Sequence, residues 1–415
     1  MKHIFYIISV DMKERKVNKK KLFVREIFRV LYSPFEAFKE IVKKPDVKGP
    51  VLILLITVLV TAGAQYISAS KTFFENPTPE ADSWTESTSL WISNGVLLND
   101  TDRIVGNYSV KSFSSNGTYI WMKLTEIGPF DCSGDSGYRG LSFRIKWIHQ
   151  NEKPPSSNAT LQLFSYEENR YFKYDLSNNI TSSSNEWANL TANVGPGQGW
   201  VSVNSPDWKN ITGLEFRLAW LPSNAANLTM KIDDLYFGEY VSPLASGFFT
   251  GWLVSSLMGP ATDFIVRWIL YAGLLLLTIK IFGGKTGSWS VLFNVVGYMF
   301  AVTMVYIAID ALIINMLPSL SFPLKAWSPV AGEEEIGLAL WNQIIQDNWY
   351  STLAYGLRDF VALVFHVWTV ALGTIAIHFL REFTWKKSVA IVAMAYIMLF
   401  FVMPSVTWLM RGLGI

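Results

Sequence analysis

The chain has 415 residues, 50% hydrophobic and 16% charged, with a formal net charge of +2. That is too apolar for a soluble protein of this length and too polar for an all-membrane one, so a membrane part must be joined to a water-soluble domain. The small net charge gives no nucleic-acid signature, and the single cysteine, Cys132, excludes an internal disulfide.

Residues 4–10 are apolar, too short to span a bilayer and without a small-residue cleavage site, so no signal peptide is expected, and Met12 is an alternative start. Residues 11–49 carry 12 Lys/Arg against 6 Asp/Glu. We read 1–49 as a cytoplasmic basic amphipathic segment with Lys19, Lys20, Lys21 and Arg25 as its membrane-surface face. Ser33, Pro34 and Glu36 form a helix-start signature, followed by the apolar stripe Phe35, Phe38, Ile41 and Val42. Two readings stay open for this segment, docking on an anionic leaflet or packing on the protein's own spans. The uncharged run 50–70 is the first span, and the basic residues before it should stay inside.

Eight N-x-Ser/Thr acceptor sites follow, at Asn99, Asn107, Asn116, Asn158, Asn179, Asn189, Asn210 and Asn227, with none elsewhere. The 161 residues 80–240 contain 16 Asn and 31 Ser plus Thr, so chance would give about three sites. Ser outnumbers Thr there 21 to 10, yet seven of the eight sites use Thr. The block 78–240 is therefore expected to be an extracellular, glycosylated domain. Acceptor sites without disulfides fit an archaeal cell surface. Short alternating runs such as 141–147, 160–166, 171–176, 214–220 and 228–237, separated by turn residues, predict an all-β antiparallel sandwich of jelly-roll type. Most of its tryptophans belong to the core. Trp187, Trp200 and Trp208 lie in turn-rich sequence and are the candidates for stacking on a ligand. Asp131, Asp135, Asp233 and Asp234 offer oxygens for a structural calcium ion, without a fixed loop spacing.

Residues 241–263 are uncharged from Val241 to Thr262, but charge parity speaks against a crossing there. One crossing between Tyr240 and Gly283 puts Lys280 and Lys285 inside, the acidic 318–355 loop outside and Arg381–Lys387 inside. The segment is read as interfacial, broken at Gly259-Pro260. The remaining 264–415 forms a membrane domain with four further spans near 264–282, 290–314, 358–380 and 388–410. The fold class is thus an α-helical multi-pass membrane domain of five spans plus an extracellular β-sandwich, N-terminus cytoplasmic and C-terminus outside. Within the spans, Arg267 and Asp310 are expected to form an intramembrane ion pair, and His366 to be a packing residue. No metal motif, phosphate loop or nucleophile elbow is present, so no enzyme activity, cofactor or catalytic residue is expected.

Two resemblances follow from particular residues. Ser33-Pro34-Phe35-Glu36-Ala37-Phe38 through Lys44-Pro45, the Lys280–Gly287 turn and Gly297-Tyr298 make the membrane part similar to the Yip (Ypt/Rab-interacting protein) family. That resemblance implies five spans and a membrane-organising or partner-binding role without catalysis. Leu141–Lys146, Asn185-Glu186-Trp187, Pro206-Asp207-Trp208 and Ile232–Phe237 make the β-domain resemble the galactose-binding-like jelly roll of carbohydrate-binding modules. The leading expectation is a non-enzymatic scaffold whose partners are the bilayer and other membrane proteins. A cell-surface receptor or adhesion protein binding glycan or a surface-layer protein is the alternative, and a transporter or channel component ranks last.

Overall fold

The computed structural model describes residues 24–134, 137–155, 158–180, 183–245, 249–285, 287–327 and 330–412. Lys19, Lys20, Lys21, Asp135 and the 4–10 run lie outside these residues. The chain divides into two compact units: Met1–Lys71, Pro243–Ser319 and Gln346–Ile415 in one, Thr72–Ser242 and Leu320–Ile345 in the other.

The first unit is helical. A helix over 24–32 (α1) is followed by α2 (Pro34–Lys43) and α3 (Lys48–Ser70). After the β-domain come α4 (Phe249–Ile281), α5 (Trp289–Met299) and α6 (Ala301–Met316). Five helices are long and apolar enough to cross a membrane: Lys48–Ser70, Leu253–Ile281, Trp289–Met316, Leu353–Arg381 and Trp385–Trp408. The expected break at Gly259-Pro260 within 241–263 is corrected, because α4 runs unbroken from Phe249 through Pro260. A helix keeps its backbone hydrogen bonds internal in an apolar medium, and neighbouring elements tolerate a proline there better than they tolerate exposed loop backbone. The number of crossings is unchanged, since α4 is one helix rather than two.

The amphipathic pair α1–α2 packs on its own bundle. Ile27, Val30, Phe38 and Ile41 are buried in the same core as Trp268, Tyr271 and Leu292. Arg29 holds the two helices together: its guanidinium is 7% exposed and reaches Glu26 at 3.0 Å, Glu36 at 3.0 Å and Glu40 at 2.9 Å. Arg25 remains exposed. Glycines set the closest approach between helices. A Cβ on Gly297 would sit 2.5 Å from Pro50 Cβ and 2.6 Å from the Trp268 ring, and one on Gly49 would overlap the Tyr298 hydroxyl.

The second unit is an antiparallel β-sandwich. Its six-stranded sheet has the order β10 (Val201–Val203), β8 (Glu167–Asp175), β7 (Thr160–Ser165), β11 (Ile211–Ala219), β5 (Tyr119–Leu124), β2 (Trp91–Ser93). The seven-stranded sheet runs β13 (Leu320–Phe322), β1 (Thr72–Thr78), β12 (Ala226–Val241), β4 (Ser109–Gly117), β3 (Val96–Asp100), with β6 (Tyr138–His149) on β12 and β9 (Trp187–Asn193) on β6. Alternation sends Ile120, Met122, Leu161, Leu163 and Phe216 inward from one sheet to meet Phe143, Ile145, Trp147 and Met230 from the other, all at most 1% exposed. Each such side chain contributes roughly 1.5–3 kcal/mol by leaving water.

The domain boundaries 78–240 and 264–415 also shift. The sandwich takes in β1 before it and residues 320–345 from between the third and fourth long helices. β13 pairs with β1 in parallel, Phe74 facing Phe322, and Phe322 stacks on Trp341 at 4.0 Å in α8 (Glu334–Ile345). The short α7 (Leu324–Trp327) starts where the Leu324 amide donates to Glu75 Oε2 at 2.7 Å. Apolar Phe74, Phe322 and Trp341 have no other core to enter, which is why this loop folds onto the sheet.

Gly297→Ala is expected to destabilise the helical unit by about 1–3 kcal/mol, because Pro50 and Trp268 leave no room for a methyl group. Thermal unfolding of the detergent-solubilised protein measures it; an unchanged Tm would mean the helices are not packed this closely.

Candidate functional site

The two faces of the sandwich differ in what covers them. On the outside of the seven-stranded sheet, alternation places Ser142, Arg144 and Lys146 of β6 and Lys231 of β12, and all four are buried. Lys146 and Lys231 reach Asp102 at 2.9 and 2.7 Å. Arg144 is held by Glu333 through two bonds of 2.9 Å and by Asp234 at 3.1 Å. The chain itself therefore covers the β6 and β12 part of this face, while Val96, Leu98 and Phe113 on its β3–β4 side stay exposed.

The six-stranded sheet presents a different outer surface. Cross-strand register sets Trp121 beside Arg217, Arg217 beside Thr160, Lys123 beside Glu215, Glu215 beside Gln162 and Gln162 beside Lys173. Tyr119, Arg217 and Lys173 are exposed, and Trp121, Gln162 and Glu215 half-buried. The Arg217 guanidinium stands 5.2 Å from the Tyr119 ring centroid. Lys123 lies 5.9 Å from the Trp121 ring and pairs with Glu168 at 2.7 Å. Burial raises the Glu215 carboxyl above its ordinary range, eased by Arg217 and Lys123. The result is a row of ring faces flanked by donors and acceptors.

The acceptor asparagines are distributed unevenly over the same body. Asn99, Asn116, Asn189 and Asn227 lie on β3, β4, β9 and β12 of the seven-stranded sheet, and the other four in loops. No strand of the six-stranded sheet carries one. Seven of the eight are exposed; Asn210 is half-buried.

The tryptophans singled out from sequence are packed rather than presented. Trp208 stacks on Phe172 with centroids 3.6 Å apart and meets Trp200 edge-on at 5.7 Å. Trp200 Nε1 donates to the Asn193 carbonyl at 2.7 Å. Trp187 Nε1 donates to Asp102 at 3.3 Å, under Lys146. All three are half-buried, and Trp200 and Trp208 pack against the rim of the core. The rings that face outward, Tyr119 and Trp121, were legible only as period-two alternation in a six-residue strand.

Of the four aspartates considered for calcium, Asp135 lies outside the described residues, and the other three are held within the fold. Asp131 accepts from the Ser133 amide and hydroxyl at 2.8 and 2.6 Å, and Asp234 from Arg144. Asp233 accepts from the Ile104 and Val105 amides at 2.6 and 3.1 Å. No group of three or more His, Cys, Asp or Glu suits a metal among the described residues. What does come together is Asp82 with Asp233, the Thr85 hydroxyl donating to Asp82 and lying 3.4 Å from Asp233. Asp82 borders a 390 Å³ cavity lined also by Glu75, Arg144, Asp234 and Glu333. Burial, opposed by Thr85 and reinforced by Asp233, pushes the Asp82 carboxyl up to about 8. Cys132 is buried and its thiol is pushed up to about 12 by that burial and by Asp131, so it is an inert core residue.

In the helical unit, the expected Arg267–Asp310 pair is corrected. Arg267 Nε pairs with Asp263, one turn away on the same helix, at 2.7 Å. Asp310 is taken by Arg358 of α9 (Leu353–Arg381), at 2.5 Å from Nε and 3.3 Å from Nη2. His366 Nδ1 meets the Tyr396 hydroxyl of α10 (Trp385–Gly412) at 2.6 Å. His378 is stacked on Trp385 and bonded to the Phe383 carbonyl.

No family model and no curated protein matches the chain. Among solved structures, a family 11 carbohydrate-binding module from Clostridium thermocellum, in complex with a β-1,3-1,4-mixed-linked tetrasaccharide, is 13% identical over 39% of this chain and 94% of that one, with a TM-score of 0.27. A family 30 module from a cellulosomal cellulase of the same organism is 16% identical over 38% and 95%, at 0.28. A CBM22-1 xylan-binding domain from Paenibacillus barcinonensis is 11% identical over 40% and 96%, at 0.25.

A carboxyl raised from 3.8 to about 8 binds its proton more tightly in the folded state. Its contribution is full below the unfolded value and is lost as pH rises towards and through 8. The β-unit should therefore lose Tm between pH 4 and 8.5, by roughly 4 °C or more, and Asp82→Asn should flatten that slope. Tryptophan fluorescence melts of both proteins across this range give the comparison; equal slopes would remove Asp82 from the account.

Proposed function

We propose that the chain is a multi-pass cell-surface glycoprotein that recognises saccharide on the outer face of its six-stranded sheet. One observation carries this reading: the strands of the six-stranded sheet bear no acceptor asparagine, while their outer face presents Tyr119, Trp121, Gln162 and Arg217 together. Attached glycans are bulky and keep neighbouring surface from contact. A face without them, carrying Tyr119, Trp121, Gln162, Glu215 and Arg217, has what sugar rings require. Aromatic faces meet the apolar side of the ring, and flanking donors and acceptors meet its hydroxyls. The helical unit anchors this domain with the basic N-terminal segment in the cytoplasm and the sandwich outside, following the positive-inside rule. The activity is binding, without catalysis.

A second reading, a Yip-like scaffold in which the helices do the work, has support of its own. The residues that carry that resemblance sit at the tightest contacts of the bundle. Phe38 is fully buried, Gly297 abuts Pro50 and Trp268, and Gly284 abuts Phe383. A shared short motif of this kind reflects shared helix packing.

On a glycan array, the full-length protein should bind selected saccharides, and Trp121→Ala should weaken binding by roughly tenfold or more, as loss of a stacked aromatic anchor does. Lys173→Asn with Asp175→Thr creates an acceptor site on β8 and should block binding when occupied. Removal of Asn99 and Asn227 should leave it intact. Binding that survives a glycan on β8 would place the ligand elsewhere.

A further inference from the structure

The helical unit contains an open cavity of 510 Å³ that neither the proposed sugar-binding face nor the bundle's stability accounts for. All five long helices line it, and they line it with polar groups at their middles. Arg267 is the central residue of Leu253–Ile281, and His366 and Tyr396 lie next to the midpoints of Leu353–Arg381 and Trp385–Trp408. Thr57 and Gln65 come from the first span and Tyr306 from the third. Polar and ionised groups at this depth are expensive, so their convergence points to a wet or occupied site.

The bonding within the cavity is incomplete in a specific way. Arg267 uses only Nε on Asp263 Oδ2, with side chains 49% and 41% exposed. Among the described residues, both guanidinium Nη atoms and the second carboxylate oxygen have no partner. The Thr57 hydroxyl is buried on the wall without a hydrogen bond, in a residue 4% exposed. The pair is neutral overall, so a ligand with net charge would arrive uncompensated in a low-dielectric medium. A ligand carrying both signs side by side would satisfy Nη and Oδ1 together. Phe264, Phe300, Ile307 and Leu399 supply an apolar wall for the rest of it. The volume is in the range of small-molecule sites.

We propose that this cavity binds a net-neutral zwitterion, with its carboxylate or phosphate on Arg267 and its ammonium on Asp263. The group could be a free amino acid or the headgroup of an aminophospholipid, which share this chemistry. The test uses the purified full-length protein and two probes: radiolabelled leucine in detergent, and phosphatidylethanolamine in nanodiscs read by native mass spectrometry. Phosphatidylcholine, whose quaternary nitrogen cannot donate a hydrogen bond, is the control. Binding of either probe is expected, and which one binds identifies the source. Asp263→Asn and Thr57→Val are both isosteric and keep the fold. The first should weaken binding roughly tenfold or more, as loss of a charged hydrogen bond does, and the second by several-fold. Ala362→Trp, which fills the cavity without touching a charge, should abolish it. The proposal fails if neither probe binds, if phosphatidylcholine binds equally well, or if folded Asp263→Asn binds as wild type.

Discussion

The β-sandwich depends on one buried guanidinium. Arg144 sits mid-strand on β6 with its side chain 6% exposed, and a charge in that position must be paired. Asp234 is a near neighbour on β12, but the bidentate partner, Glu333, comes from 189 residues away. Removing one member of such a pair typically costs about 3–5 kcal/mol. The sandwich is therefore complete only when residues 320–345 have returned to it. Their arrival also supplies β13, the Leu324 amide to Glu75, and the Phe322–Trp341 stack.

That closure determines which surface remains for binding. Once 320–345 and the 100–105 loop cover the β6 and β12 part of the seven-stranded sheet, the cations there are spent on internal carboxylates. The opposite sheet keeps its aromatic and polar residues turned outward. The acceptor asparagines fall on strands of the seven-stranded sheet and in loops, and none on a strand of the six-stranded sheet.

The helical unit obeys a different rule. Backbone groups in an apolar medium must be satisfied within their own segment, so α4 continues through Pro260 where a soluble chain would turn. Helices then approach as closely as Gly49 and Gly297 allow, and the polar side chains left at mid-helix gather in one cavity rather than facing lipid. Ion pairs follow proximity: Arg267 finds Asp263 one turn back, and Asp310 finds Arg358 across the bundle.

Local patterning settled much of this protein. Long apolar runs can only be helices in a membrane, and alternating runs with turn residues between them can only be half-buried strands, so five spans and an antiparallel sandwich are legible from residue order alone. The acceptor motifs are legible too, because they are three contiguous residues. What depends on meetings between distant residues is not. The sequence offered no sign that 320–345 belongs to the sandwich, since the pairing of Arg144 with Glu333 joins mid-strand β6 to the residue before α8, 189 residues on. It marked Trp187, Trp200 and Trp208 as surface, but whether a ring points out or closes a core is set by the opposing sheet. It offered Arg267 and Asp310 as the natural couple, while helix rotation and tilt gave each another partner. Periodicity is a property of one segment, whereas a site is a property of several, and only packing brings those together.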